Sequence, residues 1–197
     1  MQINKIRHDI DVAVCCITYN HEEFIAQALD SFLNQKTTFD YQIIVGEDHS
    51  PDGTAEILKE YANKYPDKIV AIIREENVGA QRNLIDVCEK AGTKYIALCE
   101  CDDYWIDEYK LQKQYNFMEK HQDIRVCGAH VRIDAPKDWF LRSYYDENEN
   151  HELIYPECDP DCPKTRRNRT TVFDCNTNVF MYCMLFFKQL RPIGSII

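Results

Sequence analysis

The chain has 197 residues, of which 45% are hydrophobic and 28% are charged, a balance typical of a globular protein and not of a disordered one. Its 33 acidic residues outnumber its 23 lysines and arginines, so the net charge is −10, and nucleic acid would be repelled over most of the surface. No stretch approaches the roughly 20 apolar residues that span a bilayer, and residues 1–11 lack the apolar segment of a signal peptide. These features predict one cytoplasmic domain over residues 1–197 that does not bind nucleic acid, with peripheral attachment to a membrane left open.

Ten cysteines raise the question of disulfides or a metal site. Half of them lie in hydrophobic runs or in periodic helices and are interpreted as reduced core residues: Cys15, Cys16, Cys88, Cys99 and Cys183. A zinc site formed by His151, Cys158, Cys162 and Cys175 is the less favoured alternative, because no second close pair of cysteines follows the first.

Short apolar runs alternate with helical periods along the first two thirds of the chain. Strands are predicted at residues 11–18, 41–45, 69–73, 95–99 and 124–133. Between them, the spacing of apolar residues predicts a helix of about four turns after Phe24 and further helices around Leu58, Val87 and Leu111. This alternation predicts an α/β fold with a mostly parallel, Rossmann-like sheet that has helices on both faces.

The later residues have a weaker pattern. Residues 134–171 are interpreted as a long loop, and its basic run at 164–169 as solvated surface in preference to a phosphate-binding lid. Residues 179–187 return as a buried strand or helix.

Polar clusters follow four of the predicted strands, at residues 18–20, 47–48, 74–83 and 100–103. Ligands of parallel α/β sheets bind at the carboxyl ends of the strands. We therefore expect these clusters to converge on one edge of the sheet.

The strongest local signal is a group of three carboxylates, Glu100, Asp102 and Asp103. They would repel one another unless a cation joined them. Mg²⁺ and Mn²⁺ prefer oxygen ligands and commonly take one or two protein carboxylates together with substrate phosphates. The group therefore suits a metal-bound diphosphate; the alternative is an acidic cap on the next helix.

Two further segments carry candidate ligands. Glu47 and Asp48 could accept hydrogen bonds from a nucleobase or a ribose, whereas Asp52 and Thr54 have the chemistry of a turn and a cap. In residues 77–83, a glycine allows close backbone approach and Arg82 could pair with a phosphate or a carboxylate. The alternative for this segment is the start of a surface helix.

Taken in order, the motifs T-Y-N, E-D-H-S-P-D-G-T, N-V-G-A-Q-R-N and E-C-D-D-Y-W resemble those of the family-two glycosyltransferases, which have a GT-A fold. The resemblance covers residues 12–131 and continues faintly to Lys188. It implies a nucleotide-diphosphate sugar as donor, Mn²⁺ or Mg²⁺ as cofactor, and inversion at the anomeric carbon.

The resemblance also implies roles for individual residues. Those matched to donor binding are Thr18, Asn20, Glu47, Asp48, Asn77, Gly79, Arg82, Glu100 and Asp102, and those matched to the metal are Asp102 and Asp103. Two positions depart from the family pattern: the N-x-G-x-x-R-N segment is one residue tighter, and Glu100 stands where the family has the shorter Asp, which leaves its role in ribose or metal binding open.

The general base is the element that the motifs do not supply. In the family it is an acidic residue of the second half, and residues 132–197 are interpreted as a partial acceptor half with a long loop, in a domain expected to be truncated at its C-terminus. Residues 189–197 contain no Asp, Glu or His, and a missing base costs about 10²–10⁴ in rate. His130, Asp134 and Asp138 are the remaining candidates, and without a base we expect donor binding with slow transfer.

The motifs together predict an enzyme that transfers a sugar from a nucleotide-diphosphate sugar to a saccharide or lipid-linked acceptor in cell-surface polysaccharide synthesis. The first alternative is a catalytically impaired nucleotide-sugar-binding protein. The second alternative is a nucleotidyltransferase, which is disfavoured because this sequence lacks the glycine- and arginine-rich triphosphate loop expected after the first strand.

Overall fold

Four parallel strands form the centre of the sheet in the computed structural model, which describes residues 1–129, 146–147, 153–154, 171–172 and 186–188. They are β2 (Val12–Thr18), β3 (Tyr41–Glu47), β4 (Ile69–Ile73) and β5 (Tyr95–Leu98). Their order across the sheet is β4-β3-β2-β5, and each neighbouring pair is parallel. β2 is therefore the central strand, and all seven of its residues are buried.

Shorter strands extend the sheet on both sides. They are β1 (Gln2–Ile3), β6 (Val126–Cys127), β9 (Thr171–Val172) and β10 (Phe186–Lys188). β1 pairs antiparallel with β4, β10 lies antiparallel between β5 and β6, and β9 runs parallel to β6. A separate antiparallel pair consists of β7 (Asp146–Glu147) and β8 (Leu153–Ile154).

Helices cover both faces of the sheet, as predicted. They are α1 (Ile25–Leu33), α2 (Thr54–Lys64), α3 (Ala80–Ala91) and α4 (Lys110–Lys120). The even-numbered residues of β2, from Val12 to Cys16, pack with α1, α2 and α4, whereas the odd-numbered residues, from Ala13 to Ile17, pack with α3. The period of two along a strand thus divides the core into two layers.

Several predicted boundaries were wrong. α1 has nine residues, or two and a half turns, instead of four, because it starts at Ile25 and already ends at Leu33. β3 continues two residues past the predicted end at Val45. Within the part of 124–133 that the structure describes, the strand is only Val126–Cys127, and the edge strand β1 was not predicted.

Two compositional predictions can be compared with the described residues. Six cysteines there are buried and free, including Cys15, Cys16, Cys88 and Cys99, as expected for reduced core residues. No helix in the described ranges is long and apolar enough to cross a membrane. The zinc alternative, the basic run at 164–169 and residues 179–185 lie outside the described residues.

Gly46 is where α3 approaches β3 most closely. The Asn83 amide donates to the Gly46 carbonyl at 2.8 Å. A Cβ atom at Gly46 would lie 2.3 Å from Asn83 Oδ1 and 2.7 Å from Val87 Cγ2, distances that real Cβ atoms do not tolerate. The absent side chain is therefore what allows the helix to lie against the strand.

We predict that Gly46→Ala lowers the free energy of unfolding by about 1–3 kcal/mol, because overpacking forces the buried Asn83 and Val87 away. Gly53→Ala is the matched control. Its Cβ would meet the flexible end of Glu22, so we expect a change within about 1 kcal/mol. Urea unfolding measures both, and equal losses would contradict the close approach of α3.

Candidate active site

Three backbone hydrogen bonds continue the sheet beyond the ends of its central strands. The amide of Cys101 donates to the carbonyl of Ile17 at 3.2 Å, and the amide of Asp48 donates to that of Thr18 at 3.0 Å. The amide of Arg74 donates to the carbonyl of Glu47 at 3.0 Å. The residues that follow β2, β3, β4 and β5 are therefore adjacent, as expected from the parallel order.

Glu47 and Asp48 are buried, with 1% and 3% exposure, and both carboxylates accept backbone hydrogen bonds. Glu47 accepts from the amides of Ser50 at 2.6 Å and His49 at 3.3 Å. Asp48 accepts from the amides of Val78 at 2.8 Å and Gly79 at 2.9 Å. Glu47 thus shapes its own turn, and Asp48 fixes the loop that precedes α3. A carboxylate has about four acceptor positions, so each retains capacity for a ligand.

The turn after Asp48 is also tied to the loop after β2. Asp52 accepts from the amide of Thr54 at 3.1 Å, from its hydroxyl, and from the amide of Glu22 at 3.1 Å. Desolvation acts to raise the pKa of Asp52, but these hydrogen bonds, first that of the Thr54 hydroxyl, leave the pKa below its usual value. Asp52 and Thr54 have the structural role expected of them.

Strained backbone accompanies these two loops. Asn20 and His49 are non-glycine residues with φ of 59° and 62°, in the left-handed region that such residues rarely adopt. The backbone amide of Asn20 donates to the hydroxyl oxygen of Ser50 at 3.0 Å. Strain of this kind clusters at ligand sites; Asn20 and His49 follow β2 and β3, whereas the third such residue in the described part of the chain, Asn4, follows the edge strand β1.

The segment before α3 is a turn followed directly by the helix. The side-chain oxygen of Asn77 accepts from the Gly79 amide at 3.1 Å. Gly79 has φ of 85°, a conformation that favours glycine, and α3 begins at the next residue. The Arg82 side chain is 71% exposed and pairs with Asp86 at 3.0 Å, so its guanidinium is engaged by α3 itself.

Arg74, to which sequence reasoning assigned no role, is the more enclosed arginine. Its side chain is 15% exposed, pairs with Asp86 at 3.0 Å and donates from Nε to Asn83 at 3.0 Å. Its Nη2 is buried without a hydrogen-bond partner among the described residues, which is rare for such a group. The signal that could have found Arg74 is its position directly after a buried strand.

The acidic group after β5 lies at the same edge. The Asp102 side chain is 46% exposed, and Glu100 and Asp103 are half-buried. α4 begins only at Lys110, with no acidic residue in its first turn and no side-chain cap. This geometry argues against the alternative of an acidic helix cap.

These carboxylates fit a divalent cation that a ligand helps to hold. Among the described residues there is no cluster of three or more His, Cys, Asp or Glu side chains that could hold a metal unaided. Mg²⁺ and Mn²⁺ need only one or two carboxylates when substrate phosphates complete their coordination. The exposure of Asp102 leaves it accessible for that role.

A family comparison decides the assignment. The model of "Glycosyl transferase family 2" matches residues 13–193. The chain belongs to this family.

Two relatives illustrate how far the sequence similarity extends. An uncharacterised protein of Mycobacterium tuberculosis is 42% identical over 130 residues, which is 64% of this chain and 38% of that protein. The poly(ribitol-phosphate) β-glucosyltransferase of Bacillus spizizenii is 36% identical over 136 residues, or 66% of this chain and 21% of that enzyme. The matched part thus spans well under half of either relative.

Solved structures show the same fold. TarS from S. aureus, in complex with UDP-GlcNAc, has a TM-score of 0.56 and 23% identity over 71% of this chain and 40% of that chain. The mannosyltransferase PcManGT from Pyrobaculum calidifontis, in complex with GDP-Man and Mn²⁺, has a TM-score of 0.55 and 19% identity over 62% of this chain and 36% of that chain. The chain has the GT-A fold and belongs to glycosyltransferase family 2.

A cavity of about 430 Å³ borders this site without coinciding with it. It lies against the edge strand β1, and its lining includes Met1, Ile73, Arg74 and Val78 but none of the carboxylates of the site. The polar strand ends, which carry the family motifs, define the site better than this open cavity. The base candidates His130, Asp134 and Asp138 lie outside the described residues.

We predict that Asp48→Asn lowers the free energy of unfolding by about 1–3 kcal/mol, because an amide cannot accept from both Val78 and Gly79 and turns a donor toward one of them. Asp102→Asn makes the same chemical change at an exposed carboxylate, and we expect a change within about 0.5 kcal/mol. Urea unfolding compares the two. A larger loss for Asp102→Asn would make the acidic group a structural element.

Proposed function

We propose that this chain transfers a sugar from a nucleotide-diphosphate sugar to a saccharide or lipid-linked acceptor, with inversion and with the help of Mn²⁺ or Mg²⁺. The observation that carries the proposal is the position of the exposed Asp102 carboxylate beside His21 of the loop after β2, which is itself joined to the end of β3 by the Asp48–Thr18 backbone bond. At this edge Glu47 and Asp48 are buried and hydrogen-bonded, whereas Asp102 is open to solvent. That combination suits a bound diphosphate bridged to the protein by a cation.

The donor side of the proposal uses the strand ends. The loops of Thr18 and Asn20 and of Asn77 and Gly79 would border the nucleotide, while Glu47, Asp48 and Glu100 would accept from base or ribose with their remaining lone pairs. Arg82 remains a proposed contact to the nucleotide-sugar donor, for which its ion pair with Asp86 would first have to break. The buried, unpaired Nη2 of Arg74 is a further donor suited to a carbonyl or phosphate oxygen. The donors bound by TarS and PcManGT, UDP-GlcNAc and GDP-Man, support this class of ligand.

Asp102 and Asp103 are the residues that would hold the cation. The cation would offset the negative charge that develops on the departing nucleotide diphosphate. The Mn²⁺ bound with GDP-Man in PcManGT supports this choice. The role of these two side chains would be to bind and orient the cation.

The acceptor side rests on the relatives. Two relatives are named as a poly(ribitol-phosphate) β-glucosyltransferase and as a teichuronic acid biosynthesis glycosyltransferase of Bacillus subtilis, and we propose a cell-surface polysaccharide as the product here. His130, Asp134 and Asp138 remain the proposed bases for the acceptor hydroxyl.

The proposal predicts that UDP, GDP or dTDP binds at least about tenfold more tightly with Mn²⁺ than in excess EDTA, a difference of about 1.4 kcal/mol. The physical reason is that the carboxylates of this edge repel a bare diphosphate. Asp102→Asn should abolish the difference. Asp123→Asn, at an exposed residue beyond α4, makes the same charge change and should preserve it. Isothermal calorimetry measures each affinity.

Equal affinity in Mn²⁺ and in EDTA would contradict the metal role. Donor turnover, assayed as nucleotide diphosphate release with and without a saccharide acceptor, then tests transfer itself. Acceptor-stimulated release supports a transferase, and release of pyrophosphate from a nucleoside triphosphate would identify a nucleotidyltransferase instead.

A further inference from the structure

His21 lies between two residues of the candidate active site and has no role in the function proposed above. Its Nδ1 is 3.3 Å from the hydroxyl of Thr18, and its Nε2 is 3.9 Å from Oδ2 of Asp102. Thr18 is the last residue of β2 and is 2% exposed, while Asp102 follows β5. The imidazole therefore spans the ends of two neighbouring strands.

The backbone around His21 is fixed on both sides. Its amide donates to the hydroxyl of Thr54 at 2.9 Å, and its carbonyl accepts from the amides of Phe24 at 3.0 Å and Ile25 at 2.9 Å. The side chain is 22% exposed. The fixed backbone and the contact of Nδ1 with the Thr18 hydroxyl thus place the ring next to Asp102.

The neighbours of the ring also favour one tautomer. A carboxylate only accepts hydrogen bonds, so the proton of a neutral imidazole is favoured on Nε2, which faces Asp102. Nδ1 is then the acceptor for the Thr18 hydroxyl. The separation of 3.9 Å is longer than a hydrogen bond, so the attraction between the Nε2–H and the carboxylate is electrostatic.

We propose that His21 is a positioning residue that orients the Asp102 carboxylate toward the metal-bound diphosphate. Carboxylates that bind metals are commonly oriented by a polar partner outside the coordination sphere, and loss of that partner costs 10–100-fold in metal affinity. This inference rests on the proposed function, because it assigns His21 a part in the same donor site. It adds that the loop after β2 would influence metal binding through the imidazole of His21, without contacting the metal.

The test compares three substitutions of different reach. His21→Gln places an amide N–H near the position of Nε2, His21→Asn places one near Nδ1, and His21→Phe retains the ring without a donor. Mn²⁺ is titrated calorimetrically in the presence of UDP or GDP, whichever the unmodified chain binds. We expect about a tenfold loss of Mn²⁺ affinity in the Phe and Asn variants, a smaller loss in the Gln variant, and metal-free nucleotide affinity within about twofold of the unmodified value. His121→Phe, at the end of α4, should bind Mn²⁺ as the unmodified chain does.

Two outcomes would overturn the inference and are distinguishable from each other. If the unmodified chain binds Mn²⁺ with nucleotide and His21→Phe binds it equally well, or if all three variants lose equally, His21 does not position Asp102. If the unmodified chain binds neither UDP nor GDP with Mn²⁺, the proposed function fails as well.

If the variants fail to fold, a measurement on the unmodified protein tests the same inference. Nuclear magnetic resonance of the imidazole nitrogens should show the proton on Nε2 of His21, and addition of Mg²⁺ with the nucleotide should shift these signals while those of His121 stay in place. Unshifted His21 signals on saturation would overturn the inference.

Discussion

The site depends on a row of three backbone hydrogen bonds that joins four strand ends: Arg74 to Glu47, Asp48 to Thr18, and Cys101 to Ile17. Each bond continues a parallel pairing beyond the end of a strand, so residues of four separate loops become neighbours. The strands that supply these ends are buried in two hydrophobic layers. Core packing therefore determines which polar residues meet, although none of them contributes to that core.

Charge is divided between two kinds of carboxylate at this edge. Glu47 and Asp48 are buried, and backbone amides compensate their desolvation. Asp102 is half exposed. Among the residues that the structure describes, no lysine or arginine nitrogen lies within 4 Å of its carboxylate. The buried pair gives the loops a fixed shape, and the exposed carboxylate retains the charge that a cation would need. In the proposed function, this division would let an acidic edge bind a diphosphate through a cation.

Sequence reasoning was most successful where the signal is local. The runs at 41–45 and 69–73 were found because apolar, β-branched strands differ in period from helices, and the family motifs identified the polar strand ends. The fold of a GT-A glycosyltransferase followed from them. The contact of His21 with Asp102 was missed because the two residues lie far apart in the sequence, and the enclosure of Arg74 because it depends on Asn83 and Asp86 of the next helix. The length of α1 was missed because an apolar period does not mark the residue at which a helix ends. Periodicity also could not show that the Asp48 carboxylate accepts hydrogen bonds from the backbone amides of Val78 and Gly79.

The central claim is that a metal-bound nucleotide diphosphate lies at the ends of β2 and β5. Paramagnetic broadening of amide signals tests it most directly: small amounts of Mn²⁺ are added to the ¹⁵N-labelled chain in the presence of UDP or GDP. The account predicts that the amides of Asn20, Asp102 and Asp103 broaden first, while that of Gly92, before β5 at the opposite edge, stays sharp. Sharp signals at residues 20 and 102–103 with broadening elsewhere would contradict it.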